Sequence, residues 1–223
     1  MIENNYKPKI LNFNVNWQAI KDACMQTIGK EAGDNEPPKA WKRKLLICKH
    51  SPIRRSLISI KWDKIPSYVS THYCRHSIGI TPYVSTSRED RTGVPREERK
   101  QTDNVSMQMD INIQSLFNIM EKRLCLCSDP TTIKYANGLL EAIKEYDEDI
   151  YWACVPQCIK CGACVEPFGQ CKFFENFAKN LSKEELTDIM TRYEKYNEYR
   201  GKQKVKWHLK KILDILRKEL TQK

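Results

Sequence analysis

The chain has 223 residues and a formal net charge of +10, and its 40% hydrophobic and 30% charged residues suit a globular protein of one domain, or one domain with a small appendage. No run of 18 apolar residues occurs and the start, MIENNYKPKI, lacks the apolar core of a signal peptide, so we expect neither a membrane-spanning helix nor a membrane partner. These features predict a cytoplasmic protein whose ten cysteines are thiols or metal ligands rather than disulfides.

The first half of the chain mixes short strands with helices. The predicted elements are a strand over 10–15, a helix from an Asn16 cap to a Gly29 stop, a helix over about 40–49, a strand over 56–62, and a short helix that Pro66 opens and that ends at Arg75 and His76. Residues 77–85 suit neither a plain helix nor a plain strand. Residues 86–104 contain almost no apolar side chain, which predicts a lid or a mobile loop.

The second half is predicted to be helical. An apolar stripe starts at Ile113, Asp129 and Pro130 begin another helix, and a cysteine-rich segment covers 154–171. Two terminal helices follow: the first starts with a capping box of Ser182 and Glu185, and Gly201 separates it from an amphipathic second. Few strands and many helices predict an α+β fold, divided into a nucleotide-binding domain over 1–150 and a cysteine-rich, basic helical extension over 151–223.

The positive charge is concentrated in this extension. Residues 172–223 contain 14 Lys and Arg against 8 Asp and Glu, and so carry more than half of the net charge of +10. Such an excess is compatible with nucleotide phosphates or nucleic acid as a partner. It is also typical of a solvated helix face, and both interpretations stay open.

Three short motifs occur in a fixed order. HSP at 50–52 precedes RHS at 75–77, which is followed by seven residues and Ser85, and NIQSLFNIMEKR at 112–123 places an Asn eleven residues before an Arg. Eleven residues are close to three helical turns, so Asn112 and Arg123 project from nearly the same helix face, roughly 16 Å apart. Together the motifs resemble those of the flavin-dependent thymidylate synthases, over about residues 10–150.

The resemblance implies a fold, a reaction and an assembly. Members of that family have a thymidylate synthase-complementing-protein-like fold, in which a small antiparallel sheet packs with several helices, and they form homotetramers with sites between subunits. They bind FAD, take a methylene group from methylene-tetrahydrofolate, pass it to dUMP, and reduce it with a flavin hydride supplied by NADPH. We therefore expect a flavoprotein methyltransferase that acts on dUMP or a related pyrimidine nucleotide.

The resemblance also assigns residues. The cofactor-binding set that it implies is His50, Ser51, Arg75, His76 and Asn112. It implies that Ser85 and Arg88 hold the dUMP phosphate, and that Arg123 approaches the pyrimidine as the catalytic residue. Arginine suits such sites because its planar fork of donors matches phosphate and carbonyl oxygens.

Four positions depart from the family pattern. Ser77 stands where the family has a basic residue, Tyr83 and Arg54 stand where it has carboxylates, and Gln114 stands where it has an arginine. A site with these changes could act on a different nucleotide, transfer a hydroxymethyl group without reduction, or bind a nucleotide without turning it over. The residues leave these alternatives open.

The cysteine-rich segment has the density of a metal site. The four predicted ligands are Cys158, Cys161, Cys164 and Cys171. Four thiolates in tetrahedral reach favour structural zinc, CIKCGAC also resembles part of an iron–sulfur motif, and reduced thiols packed as small hydrophobes are the third possibility. Cys125 and Cys127 are expected to be core thiols. A metal-stapled nucleic-acid-binding protein is the alternative function that this segment and the basic tail allow.

Overall fold

The computed structural model describes residues 5–203. Most of the predicted second terminal helix, beyond residue 203, lies outside the described residues. Within the described part, no helix is long and apolar enough to cross a membrane.

Four antiparallel strands form one sheet. They are β1 (Lys9–Asn14), β2 (Leu57–Pro66), β3 (Ile80–Val84) and β4 (Asn104–Ile111), in the spatial order β1-β2-β4-β3. The two central strands alternate, because every second residue of a strand points to the same face of a sheet. In β2 the register shifts between Trp62 and Ile65, so the core-facing positions change by one there. The core-facing residues of β2 and β4 are Ile58, Ile60, Trp62, Ile65, Val105, Met107, Met109 and Ile111.

Helices cover most of the remaining chain. They are α1 (Trp17–Gln26), α2 (Lys39–Ile47), α3 (Ser67–Cys74), α4 (Glu89–Thr92), α5 (Ile113–Arg123), α6 (Pro130–Lys144), α7 (Glu148–Ala153), α8 (Gln157–Cys161), α9 (Phe173–Ala178), α10 (Lys183–Thr187) and α11, whose described part covers 189–203, with 3-10 helices over Ser51–Arg55 and Arg96–Glu98. The α+β prediction with a small antiparallel sheet is confirmed.

Local helix signals in the sequence are confirmed. Asn16 caps α1 by accepting from the Ala19 N–H, and Asp129 caps α6, with Pro130 in its first turn. Ser182 and Glu185 form the predicted capping box of α10. These side chains act on backbone groups two or three residues away, so the same signal is present in any tertiary context.

Three sequence predictions are wrong. Residues 80–84 form β3, and β4 occupies a stretch for which no strand was predicted. Gly201 does not separate two helices, because it lies within α11; the break falls at Asp188, between α10 and α11. The charged segment between β3 and β4 is a largely exposed loop with two short helical turns, which agrees with the loop prediction.

One buried core extends through both predicted domains. Side chains of β2, β4, α5 and α6 share it with Trp152, Ile159 and Tyr193 of the extension. Arg192 and Arg200 of α11 donate to main-chain carbonyls of α7, α8 and their flanking residues, and so attach α11 to them. The division at residue 150 stays a prediction, with a continuous core across it.

Candidate functional site

The ends of α3 and α5 meet, which brings two of the sequence motifs together. Arg75 and His76 directly follow α3, and Arg123 is the last residue of α5. The guanidinium of Arg123 donates to the His72 carbonyl oxygen at 2.7 Å, and so ties the end of α5 to the last turn of α3. We call Tyr73, Arg75, His76 and Arg123 the Arg123 cluster.

Several polar atoms of the Arg123 cluster are buried without a partner. The Tyr73 hydroxyl, His76 Nε2 and Arg123 Nε make no hydrogen bond within the part of the chain that the structure describes. Leaving such a group unpaired costs about 1 to 3 kcal/mol. Three unpaired groups in one place make this cluster a candidate for contact with a polar ligand.

The electrostatics of the cluster favour an anion. Burial lowers the pKa of His76 to about 4, and the positive charges of Arg123 and Lys122 contribute in the same direction, so the imidazole is neutral at pH 7. Burial lowers the pKa of Arg123 as well, and the charge of Arg75 adds to this effect. Two arginines that disfavour each other's charge would both be stabilised by a bound phosphate or another anion.

A hydrogen-bonded chain supports the cluster from α6. His72 Nδ1 lies 2.7 Å from Thr132 Oγ1, and that hydroxyl donates to Asp129 Oδ1 at 3.0 Å. Because the only hydroxyl proton of Thr132 goes to the carboxylate, His72 Nδ1 carries a proton and donates. The last turn of α3 is therefore held by α5 through its carbonyl and by α6 through its side chain.

The segment after the Arg-His pair is clamped along α5. Asn112, the N-cap of α5, accepts from the Ser115 N–H, and its own N–H donates to the Gly79 carbonyl at 3.3 Å, while Ser115 Oγ donates to the Ile78 carbonyl. Gly79 has a φ of +70°, and a Cβ there would lie 2.3 Å from Ser115 Oγ. Asn112 therefore positions the loop, in addition to the cofactor contact that the resemblance implies.

The HSP motif lies along a different side of α5. Lys49, next to His50, contacts Asn118 at 2.6 Å and Glu121 at 2.7 Å. Glu121 and Arg123 are two positions, or about 200°, apart around the helix. His50 and Ser51 are exposed, and these contacts place them away from the Arg123 cluster of the same chain.

Ser85 lies on the face of the sheet opposite to the one that packs against α5. Its hydroxyl accepts from the Ser106 N–H at 3.0 Å, and its N–H donates to the Ser106 carbonyl at 2.9 Å. Ser106 alternates with the core-facing Val105 and Met107, so Ser85 and its neighbour Tyr83 line the polar face, whereas α5 packs in the core. One chain therefore does not bring Ser85 to its own Arg123.

Arg88 is exposed and engaged in a local pair. Its guanidinium donates to both carboxylate oxygens of Asp90, at 2.9 and 2.7 Å. A basic pocket of about 230 Å³ lies in the same loop, and Ser87, Arg96, Arg99 and Lys100 contribute to its lining. Arg99 Nε is buried there without a hydrogen bond to a described residue. The charge-rich composition of 86–104 was the signal for this pocket, but only the fold shows which arginines converge.

A larger pocket, of about 490 Å³, lies between the end of α5 and the extension. Five cysteines line it: Cys125, Cys127, Cys158, Cys164 and Cys171. Burial raises the pKa of the Cys158 thiol to about 12, with contributions in the same direction from the thiols of Cys125, Cys164 and Cys171. All ten cysteines are free thiols. Between residues 5 and 203, no three His, Cys, Asp or Glu side chains are spaced to hold a metal ion as they stand.

Comparison with known proteins finds a similarity in fold. No protein-family model matches the chain, and no curated protein matches its sequence. Among solved structures, the chain is similar to the UMP/dUMP methylase PolB from Streptomyces cacaoi, in a crystal structure bound with 5-Br dUMP. The TM-score is 0.55 and the sequence identity 11%, over 66% of this chain and 93% of that one. At this identity, the match shows a shared fold.

Proposed function

We propose that this protein binds dUMP or a related pyrimidine nucleotide and transfers a one-carbon unit to it. In this proposal it works as a flavin-dependent thymidylate synthase-like methyltransferase, with FAD as cofactor, methylene-tetrahydrofolate as donor and NADPH as reductant. The similarity of fold to a UMP/dUMP methylase supports the nucleotide class. The single observation that carries the proposal is the Arg123 cluster, where unpaired buried polar atoms accompany two arginines.

The residues of the cluster fit both an anionic nucleotide and a flavin. The Arg75 guanidinium is exposed and makes no hydrogen bond or ion pair with a described residue, so its donors are free for a phosphate. His76, being neutral, can make a hydrogen bond to a carbonyl or a ring nitrogen without adding charge. Arg123 is held in place by the His72 carbonyl, which leaves its Nε–H to polarise a pyrimidine carbonyl as negative charge develops. A bound flavin would supply the hydride.

Assembly from several copies is part of the proposal. Ser85 and Arg123 lie on opposite faces of the sheet, so a site that uses both takes them from two chains. Tyr83 beside Ser85 is 55% exposed and Ile78 beside the cluster is 83% exposed, which provides apolar surface at both places. We expect a homotetramer, and light scattering at micromolar concentration tests it; a clean monomer would contradict this part of the proposal.

Titration calorimetry with dUMP and FAD tests the binding function. The parent protein should bind both ligands, and Arg75→Ala should weaken binding roughly tenfold to a hundredfold, because a charge-assisted hydrogen bond contributes about 1.5 to 3 kcal/mol. Lys30→Ala is the matched control, since it removes an exposed cation in the loop after α1. Oxidation of NADPH that requires both dUMP and methylene-tetrahydrofolate would then establish the reaction.

Two results would defeat the proposal. In the first, the parent binds neither dUMP nor FAD. In the second, folded Arg75→Ala binds both as the parent does. Tight binding of duplex DNA by a parent protein that ignores both small ligands would instead favour the nucleic-acid alternative.

A further inference from the structure

The cysteine pocket joins two parts of the chain that are distant in sequence. Cys125 lies two residues beyond the end of α5 and Cys158 lies on α8. The other lining cysteines of the extension are Cys164 and Cys171, in the loop over 162–172. Thiols are among the softest ligands that proteins offer, and four of them around one volume form the donor set of zinc and of iron–sulfur clusters.

The placement of the cysteines selects four of them. Cys161 belongs to the CIKCGAC motif, but it is exposed and does not line the pocket. Cys127 lines the pocket and its thiol interacts with those of Cys125 and Cys171. It is exposed, however, it donates to the Gly169 carbonyl at 3.3 Å, and it is not among the neighbours of the more buried Cys158. The thiols of Cys125, Cys164 and Cys171 are the electrostatic neighbours of Cys158.

We propose that Cys125, Cys158, Cys164 and Cys171 together hold a thiolate-ligated metal centre. This set differs from the one that the sequence motif predicts, because Cys125 from the end of α5 takes the place of Cys161. The site joins the end of α5 to the extension, and the proposal does not depend on the nucleotide and flavin chemistry proposed above.

The ligands have to close around the metal. In the described part of the chain, no three candidate ligands are already at the spacing of a single ion, so binding requires movement. Cys164 and Cys171 lie in a loop with neither helix nor strand, and Gly162 and Gly169 have φ values of +72° and +157°. Cys125 and Cys158 are placed by α5 and α8, so the loop is the part that adjusts.

A metal centre here has a consequence for the Arg123 cluster. Cys125 is two residues from Arg123, so a metal bound by Cys125 links the end of α5 to the extension. Glu121 on α5 already pairs with Lys160 on α8 at 3.1 Å, which brings the same two helices together. The metal would thus hold the helix end that presents Arg123.

Metal analysis of four proteins tests the proposal. The full chain is produced with iron and zinc in the medium and purified without oxygen, then compared with Cys125→Ser, Cys164→Ser and Cys161→Ser. The parent should hold either about one zinc or about four iron with inorganic sulfide. Visible absorption distinguishes the two kinds of centre, because an iron–sulfur cluster is coloured and a zinc site is not. Cys125→Ser and Cys164→Ser should lose at least about half of the metal, whereas Cys161→Ser should keep it.

Two outcomes would overturn the proposal. The parent could contain neither zinc nor iron near stoichiometric level, or Cys161→Ser could lose the metal while Cys125→Ser retains it. If a variant does not fold, Co²⁺ titration of the parent after its metal has been removed provides the second measurement: four-thiolate coordination should give strong sulfur-to-metal charge-transfer bands, and their absence would also overturn the proposal. Nucleotide binding is measured separately, so failure here leaves the proposed function standing.

Discussion

Two arginines, Arg123 on α5 and Arg192 on α11, show how similar residues can have opposite environments. Arg192 is 6% exposed and donates to four main-chain carbonyls: those of Ile159 at 2.8 Å, Lys160 at 2.9 Å, Thr187 at 3.1 Å and Leu186. Arg123 is half-buried, donates to one carbonyl and leaves its Nε unpaired. Neither forms an ion pair with a carboxylate within residues 5–203.

The difference separates an arginine whose donors are used within the fold from one that keeps an unused donor. The donors of Arg192 are used by the carbonyls at the ends of α8 and α10, so its function is complete within the fold. Arg123 combines a fixed position with an unused donor and a second arginine close by. An anion-binding site requires hydrogen-bond donors that are free and already fixed in position. Such donors lose little conformational entropy when the anion binds.

The largest effect is expected from Arg192→Met. This change keeps much of the packing volume but leaves four carbonyls without their donor, so the free energy of unfolding should fall by at least about 3 kcal/mol. Urea unfolding followed by circular dichroism measures it. Lys195→Met is the control, because its pair with Glu185 at 3.4 Å is partly exposed and should contribute less than about 1 kcal/mol. If both variants lose the same free energy of unfolding, the hydrogen bonds of Arg192 contribute no more than a partly exposed ion pair, and Arg192 is not a structural arginine.

Arg123→Met, in contrast, should weaken ligand binding and leave the free energy of unfolding almost unchanged. Affinity for dUMP should fall roughly tenfold to a hundredfold, through loss of a charge-assisted contact of about 1.5 to 3 kcal/mol, with a smaller effect on FAD. The free energy of unfolding should change by less than about 1 kcal/mol, because one hydrogen bond is lost and an unpaired buried donor is removed with it. A variant that unfolds as easily as Arg192→Met would show that Arg123 is structural.

Ser85→Ala should have a smaller effect on binding. A neutral hydroxyl contributes about 0.5 to 1.5 kcal/mol, so affinity for dUMP should fall about two- to tenfold. The variant also loses the hydrogen bond from the Ser106 N–H at the sheet edge, so melting curves should accompany the calorimetry. Ser87→Ala, in the adjacent basic pocket, tests whether the effect is specific to position 85.

The last expected effect is a pH dependence of stability that originates in the cluster. The pKa of His76 is about 4 in the folded chain and 6.5 in the unfolded chain, so between these values the unfolded state binds the extra proton. The free energy of unfolding should therefore fall as the pH is lowered from about 6.5 to 4.

His76→Gln should reduce this slope, measured by urea unfolding at several pH values. His72→Gln is the informative companion, because burial lowers the pKa of His72 in the same direction while its Nδ1 is bound to Thr132. A slope that is unchanged in His76→Gln would show that this imidazole is not shielded in the folded protein.

The strands show where sequence interpretation succeeded and where it failed. The 56–62 segment was identified because Ile58, Ile60 and Trp62 alternate, and β2 covers Leu57–Pro66. The same alternation is present in β4, but the preceding polar loop and the following helix obscured its short run. β3 contains Thr81, Pro82 and two exposed apolar residues, and it is a strand because β4 offers it hydrogen-bonding partners. Sheet pairing is a long-range property that a local pattern does not contain.

The candidate site was predictable only in part. The motifs placed Arg75, His76 and Arg123 in one site, and the fold brings these three together. The fold also added Tyr73, whose hydroxyl is buried and unpaired, and separated His50 and Ser85 from the cluster within one chain. The cysteine motif identified three of the cysteines that line the pocket, but it included the exposed Cys161 and left out Cys125.

What the sequence determined by itself is local: helix caps, the apolar faces of helices, the charged loop and the residue types that suit an anion. These depend on groups within about one turn of the chain. Tertiary structure decided which buried polar groups found partners. Arg123 and Arg192 are the same residue type on two helices, and the motif that singles out Arg123 does not show which of the two has its donors paired. Their difference arises because four carbonyls from α8 and α10 surround Arg192, whereas a single carbonyl, that of His72, reaches Arg123.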